Sequence, residues 1–259
     1  MVRKISIDKY SIAPDIYIID ASPILYLEDV KSLVVADLHL GYEAIMLEDG
    51  TYSPYNQTEE LIEKITNYLM NLKPDKLVLN GDIKHSFQEP TKIENRDVKN
   101  FLSSIAKHVK ELHIIRGNHD IYLNWVVRDI KNAIFHEKDY FLERYYFTHG
   151  DKNLPETLRK GIEFVIIAHE HPILSARING LQKIKSPTYL LGPLMFKKPK
   201  LIVLPAFSSY STGTPINPKT KDFLLSPILR EEAILDDFEL FVLSEDKDVL
   251  HFPSFKFWS

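Results

Sequence analysis

An α/β fold with two sheets follows from three features of this 259-residue sequence. Short β-branched or aromatic runs alternate with two amphipathic helical stretches before residue 120. Further short runs crowd the later part with little helix between them. Five of the early runs end in clusters of Asp, Asn, His and Gly. A strand–helix–strand–helix–strand order implies right-handed βαβ crossovers and a partly parallel sheet. The later runs point to a second, more antiparallel sheet.

The elements are justified in order. Runs 16–20 and 24–28 read as a hairpin around Ser22-Pro23. Runs 33–36, 77–79, 112–115, 145–148 and 164–168 are too short for buried helices and read as strands. Between them, Leu61, Ile62, Ile65, Tyr68, Leu69 and Leu72 make one stripe of a helix over 57–72. Asn56 with Glu59 resembles its N-terminal cap, and Pro74 follows its end. Val98, Phe101, Leu102, Ile105, Ala106 and Val109 predict a second helix over 95–109. Runs 189–191, 201–204, 238–243 and 249–252 are later strands, and 205–220, rich in Ser, Thr, Pro and Gly, reads as a long surface loop that shapes specificity. No repeat or linker interrupts the chain, so residues 1–259 read as one domain.

Composition narrows the chemistry. There is no cysteine, so disulfides and thiolate metal sites are excluded, and any metal must be held by His, Asp, Glu or Asn. The N-terminus lacks an apolar segment of signal-peptide length, and no apolar run approaches the ~20 residues of a membrane helix. A cytoplasmic protein with no membrane partner is expected. The net charge of −4 argues against broad nonspecific contact with nucleic acid, and the basic stretch Lys197-Lys198-Pro199-Lys200 reads as a solvated loop.

The polar clusters carry the functional reading. Run 33–36 leads into Asp37-Leu38-His39, and 77–79 into Asn80-Gly81-Asp82. Run 112–115 leads through Arg116 to Gly117-Asn118-His119-Asp120, 145–148 into His149-Gly150-Asp151, and 164–168 into His169-Glu170-His171. Ligands of open α/β sheets bind outside the carboxyl ends of the strands, so the five clusters should converge. Five of the ten histidines lie in them. On extended backbone, Asp37 and His39 would point the same way, as would His169 and His171. Gly81 and Gly117 permit tight turns and close backbone approach.

In this order, the motifs Asp37-x-His39, Gly81-Asp82, Gly117-Asn118-His119-Asp120, His149 and His169-x-His171 resemble those of the calcineurin-like metallophosphoesterase superfamily. Asp37-Leu38-His39-Leu40-Gly41, Gly81 to Phe87 and Leu204-Pro205-Ala206-Phe207 are similar to archaeal SbcD-related and ligase-associated phosphoesterases. The resemblance implies a four-layer αββα sandwich of two mixed β-sheets flanked by helices. It implies a first metal on Asp37, His39, Asp82 and His171, and a second on Asp82, Asn118, His149 and His169, with Asp82 bridging. It makes His119 the general acid, oriented by Asp120. The ions would be manganese first, with nickel, cobalt, iron or zinc as alternatives. One departure is Ala168, where the last motif usually begins with glycine.

His85 either lines the site and touches substrate or is a surface histidine. Arg116 either contacts phosphate or pairs with a carboxylate. Asp151 reads as a turn residue or one that supports a ligand, and Ser209 and Asn217 are candidates to reach the site. The expected activity is a metal-dependent phosphodiesterase using a dinuclear centre and a metal-bridging hydroxide. A nuclease on DNA or RNA, a phosphomonoesterase and a non-enzymatic metal-binding scaffold are the alternatives. The substrate is a phosphodiester, a nucleotide or short nucleic acid included.

Overall fold

The computed structural model describes residues 7–42, 57–178, 182–195, 198–208, 210 and 213–258. Two mixed sheets carry the fold. The first runs in chain order: β1 (Lys9–Ala13), β2 (Ile16–Ile19), β3 (Leu25–Leu27), β4 (Ser32–Val35), β5 (Lys76–Asn80), β6 (Glu111–Ile115) and β7 (Ala133–His136). Its first four strands are antiparallel neighbours, and β4 to β7 are parallel. The second sheet is β8 (Asp139–Leu142), β9 (Tyr145–Thr148), β10 (Phe164–Ile167), β13 (Lys200–Val203), β12 (Gln182–Pro193), β11 (Pro172–Ile178) and β14 (Thr214–Pro215), with β15 (Glu239–Leu243) and β16 (Val249–Phe252) added at β12. It is mixed rather than simply antiparallel, because β10 is parallel to both β9 and β13.

Alternation within the strands decides the layers. In β5 and β6, Leu77, Leu79, Leu112 and Ile114 face the helices, while Val78 and Ile115 face the core between the sheets. Helix α1 (Gln57–Leu72) buries Leu61, Ile65 and Leu69 on the first sheet. Each buried side chain of this kind contributes roughly 1.5–3 kcal/mol. Its expected cap, Asn56, lies outside the described residues. Helix α2 (Lys92–Ala106) starts three residues earlier than its apolar stripe indicates. The cause is Thr91, whose hydroxyl caps the helix by accepting from the Glu94 N–H at 3.1 Å. A short helix, α3 (Asn124–Val127), follows β6. The outer face of the second sheet is covered not by long helices but by a 3-10 turn at Pro218–Phe223, a π turn at Ile228–Glu232 and a 3-10 turn at Leu235–Asp237, which pack Leu224, Ile228, Leu229 and Leu235 on it. The fourth layer is therefore built from turns. No helix among the described residues is long and apolar enough to cross a membrane.

The two sheets are tied together next to the polar strand ends. Asn80, fully buried at the end of β5, donates from Nδ2 to the carbonyls of Thr148 and Ile166 on the opposite sheet, at 3.1 and 3.2 Å. At the sheet edges a second polar group closes the gap. His113 Nδ1 lies 3.0 Å from His136 Nε2, and Tyr140 stacks on both rings. Burial, then the neighbouring His113, pushes His136 down to about 4. The unfolded histidine titrates near ~6.5. Between these values the unfolded chain binds the extra proton, so this group's stabilisation is complete above about pH 6.5 and is lost as pH falls toward 4. His136→Gln, which cannot titrate, should reduce the stability difference between pH 7 and pH 5 by about 1 kcal/mol, discounted for a partly exposed ring. Urea unfolding at both pH values measures it, and an unchanged difference would show that His136 does not set this pH dependence.

Candidate active site

Five strand ends place the polar clusters along one side of the fold, but the side chains do not ride on extended backbone. Asp37, His39, Asp82, His169 and His171 all have left-handed φ, between 48° and 68°. The strands end at Val35, Asn80 and Ile167, two to four residues before these side chains. The expectation that each His-x-His or Asp-x-His pair lies on extended chain is therefore wrong. Convergence comes from tight turns immediately beyond the strands. Such backbone costs on the order of 1–3 kcal/mol per residue and persists where the surroundings over-determine it.

Main-chain hydrogen bonds supply that constraint. Asp37 N–H donates to Gly81 O at 3.1 Å, His39 N–H to Asp82 O at 3.0 Å and Leu40 N–H to Ile83 O at 2.8 Å, extending the β4–β5 ladder past the strands. Ala168 N–H donates to His149 O at 2.9 Å. The methyl of Ala168, where glycine is usual, is buried in the core between the sheets. The segment after β13 docks on the same end: Phe207 N–H donates to Ala36 O and Ser208 N–H to Asp37 O, at 2.9 and 3.2 Å. Thr214 N–H donates to His171 O at 3.0 Å. The described parts of 205–220 thus brace the ligand-bearing turns. Asn217 caps a 3-10 turn through Lys219 N–H at 2.9 Å, and Ser209 lies outside the described residues.

Two groups of ligand atoms form. Asp37, His39, Asp82 and His171 bring one atom each within 4.8 Å of one another, as do Asp82, His149 and His169. Asp82 belongs to both. Asn118 joins the second group, its Oδ1 lying 3.0 Å from His149 Nε2. His149 Nδ1–H donates to Asn80 O at 3.2 Å, which turns Nε2 toward Asp82 Oδ2 at 3.3 Å. The Nε2 atoms of His39 and His171 face each other at 3.5 Å, and His171 Nε2 lies 3.2 Å from Asp37 Oδ2.

These residues fit divalent cations. Asp37 Oδ1 and His39 Nδ1 are buried without a hydrogen-bond partner among the described residues. Burial pushes His39 and His169 down to about 4, which keeps both imidazoles neutral and able to ligate. Burial pushes His149 down as well, but the carboxylates of Asp82 and Asp37 outweigh it and raise the ring to about 10. The same cluster holds Asp82 below the usual carboxylate range, although burial opposes this. Two buried carboxylates in one pocket call for positive charge, which a cation supplies as well as a proton does.

His119 stands beside the shared carboxylate. Its main-chain N–H donates to Asp82 Oδ1 at 3.0 Å, and its ring Nε2 is 3.7 Å from Asp82 Oδ2. Asp120 does not orient its ring. The Asp120 oxygens accept main-chain N–H groups, from Ile83 at 2.8 Å and Gly117 at 2.8 Å, and so brace the turns that carry Asp82 and Asn118. The ring of His119 is set instead by the His85 carbonyl, which meets Nδ1, and by Phe87, whose ring lies 3.6 Å away centroid to centroid. The 84–88 loop that bears both is held by two buried charges. Glu94 accepts from the N–H groups of His85 and Ser86 at 3.1 and 2.9 Å, and Lys84 donates to the carbonyls of Ser86 and Gln88.

Sequence reasoning missed this support because Glu94 lies in the first turn of α2, and nothing in the local sequence shows that it reaches out of the helix to the loop. His85 itself packs edge-on against His39, at 5.5 Å. Arg116 pairs with Glu137 at 3.4 Å.

The calcineurin-like phosphoesterase family model matches residues 30–204. The chain belongs to that family of hydrolases acting on phosphoesters, and its fold agrees. The nuclease MPE of Pseudomonas putida is similar with a TM-score of 0.64 at 18% identity, over 95% of this chain and 100% of that one. Yfce, a phosphoesterase from E. coli, aligns over 86% of this chain and 98% of that one at 14% identity and a TM-score of 0.39. No curated protein matches the sequence.

Proposed function

We propose that the chain is a metal-dependent phosphodiesterase with a dinuclear centre, of the SbcD-related and ligase-associated type. The observation that carries this reading is the pair of ligand groups sharing Asp82, with His119 beside them. Asp37, His39, Asp82 and His171 hold one ion, and Asp82, Asn118, His149 and His169 the other, manganese being the first choice. Bound there, the ions supply Lewis acidity for the phosphoryl oxygens and acidify water to give a nucleophile near neutral pH.

The chain's own groups do the rest. The His85 carbonyl accepts from His119 Nδ1–H, so the Nε2 end is the one that faces the site. When protonated, Nε2–H donates to the departing ester oxygen, an effect typically worth ~10²–10⁴-fold. Phe87 holds the ring plane. Asp120 keeps Asp82 and Asn118 in place through the main chain rather than taking part in proton transfer. A nuclease is the second reading, because the P. putida protein of similar fold is a nuclease and the same site suits a nucleotide diester.

Assays with added manganese test both. Bis(p-nitrophenyl) phosphate, p-nitrophenyl phosphate, 2′,3′- and 3′,5′-cyclic nucleotides and single- and double-stranded DNA form the substrate set. The diesters should exceed the monoester, and loss of turnover on every diester overturns the proposal. His119→Asn should slow alkyl-type leaving groups by about 10² more than p-nitrophenyl esters. Equal slowing on both would remove the acid role.

A further inference from the structure

A cavity of about 430 Å³ opens next to the ligand cluster, with Asn118 in its wall. It lies between the Arg116–Asn118 turn, the β7–β8 connection and the segment after His149. Its volume falls within the roughly 300–1,000 Å³ of small-molecule sites. Its charges do not cancel uniformly. Arg116 is occupied by Glu137 at 3.4 Å, and the Asp139 carboxylate accepts the Tyr146 hydroxyl at 2.6 Å. That leaves Lys138 and Lys152, both exposed, against Asp151, and neither lysine has a carboxylate partner among the described residues. Thr148 and Asn153 add neutral hydrogen-bonding groups to the wall.

A phosphodiester has two arms. If His119 serves the departing one, the retained arm must lie elsewhere beside the ions, and the Asn118 wall is contiguous with them. Two unpaired ammonium groups beside neutral polar groups suit a ligand that combines phosphate with a polar heterocycle. We propose that this cavity holds the nucleotide flanking the cleaved diester, with Lys138 and Lys152 meeting its phosphate and Asp151 and Thr148 facing its base or sugar. The proposal rests on the phosphodiesterase reading and adds the substrate class, an oligonucleotide.

The test compares wild type with Lys138→Ala/Lys152→Ala on bis(p-nitrophenyl) phosphate and on a short oligothymidylate. Neither lysine touches the ligand cluster, so the small diester should keep its kcat/KM within about twofold. The oligonucleotide KM should rise about tenfold, and the salt dependence of its binding should flatten by about 0.7 for each phosphate no longer neutralised. An unchanged oligonucleotide KM, or equal losses on both substrates, overturns the proposal, as does wild-type turnover of the small diester without the oligonucleotide. Wild-type turnover of neither substrate overturns the phosphodiesterase reading instead.

Discussion

Asp82→Asn should empty both proposed cation positions and abolish turnover. Among the described residues, Asp82 is the side chain present in both ligand groups, and it is 2% exposed. The amide keeps the shape but gives up the charge that His149 Nε2 faces at 3.3 Å and that His119 N–H reaches at 3.0 Å. The loss should exceed the ~10–100-fold typical of removing a residue that merely supports a ligand. Metal content and kcat on bis(p-nitrophenyl) phosphate, measured on the same sample, check it. A variant with full metal content and normal turnover would show that the carboxylate is not shared.

Gly117→Ala and Gly81→Ala should be nearly as damaging, though neither glycine offers a ligand. A Cβ on Gly117 would stand 2.1 Å from Asp82 Oδ1 and 2.3 Å from Asp82 N, and the second of these is a backbone atom, which cannot rotate away. A Cβ on Gly81 would stand 2.1 Å from His149 Nδ1, and its φ of +87° is unfavourable for alanine in any case. Overpacking of this kind costs typically ~1–3 kcal/mol, and here the strain falls on the turns that aim the ligands. The thermal unfolding temperature should drop for both, and manganese affinity should fall with it. Unchanged affinity in Gly117→Ala would mean that the turns after β5 and β6 have room to move apart without disturbing the ligands.

How much of this was legible depended on the range of the interaction. The strands leading to Asp37, Asp82, Asn118, His149 and His169 stood out because each is a local β-branched or aromatic run followed by an abrupt polar cluster. Helix α1 showed its limits because Leu61, Ile65 and Leu69 keep strict helical spacing. Strands β7 and β8 escaped notice because AIFH and DYFL mix polar and apolar residues at sheet edges. The left-handed turns were only half legible. Asp and His are types that tolerate such φ, but nothing local distinguishes them from strand residues. The Glu94–Lys84 brace was invisible because it joins a helix to a loop through two buried charges that resemble surface residues in sequence. The same reason hid the His85 carbonyl as the partner of His119, since main-chain acceptors leave no residue signature.

The most direct test of the central claim is a manganese titration of the metal-stripped wild-type chain, with bound ions and turnover of bis(p-nitrophenyl) phosphate followed together. Two groups sharing Asp82 predict two ions per chain, with turnover appearing as the second is filled. Full turnover at one ion per chain, or two ions bound with no diester cleaved, would contradict it.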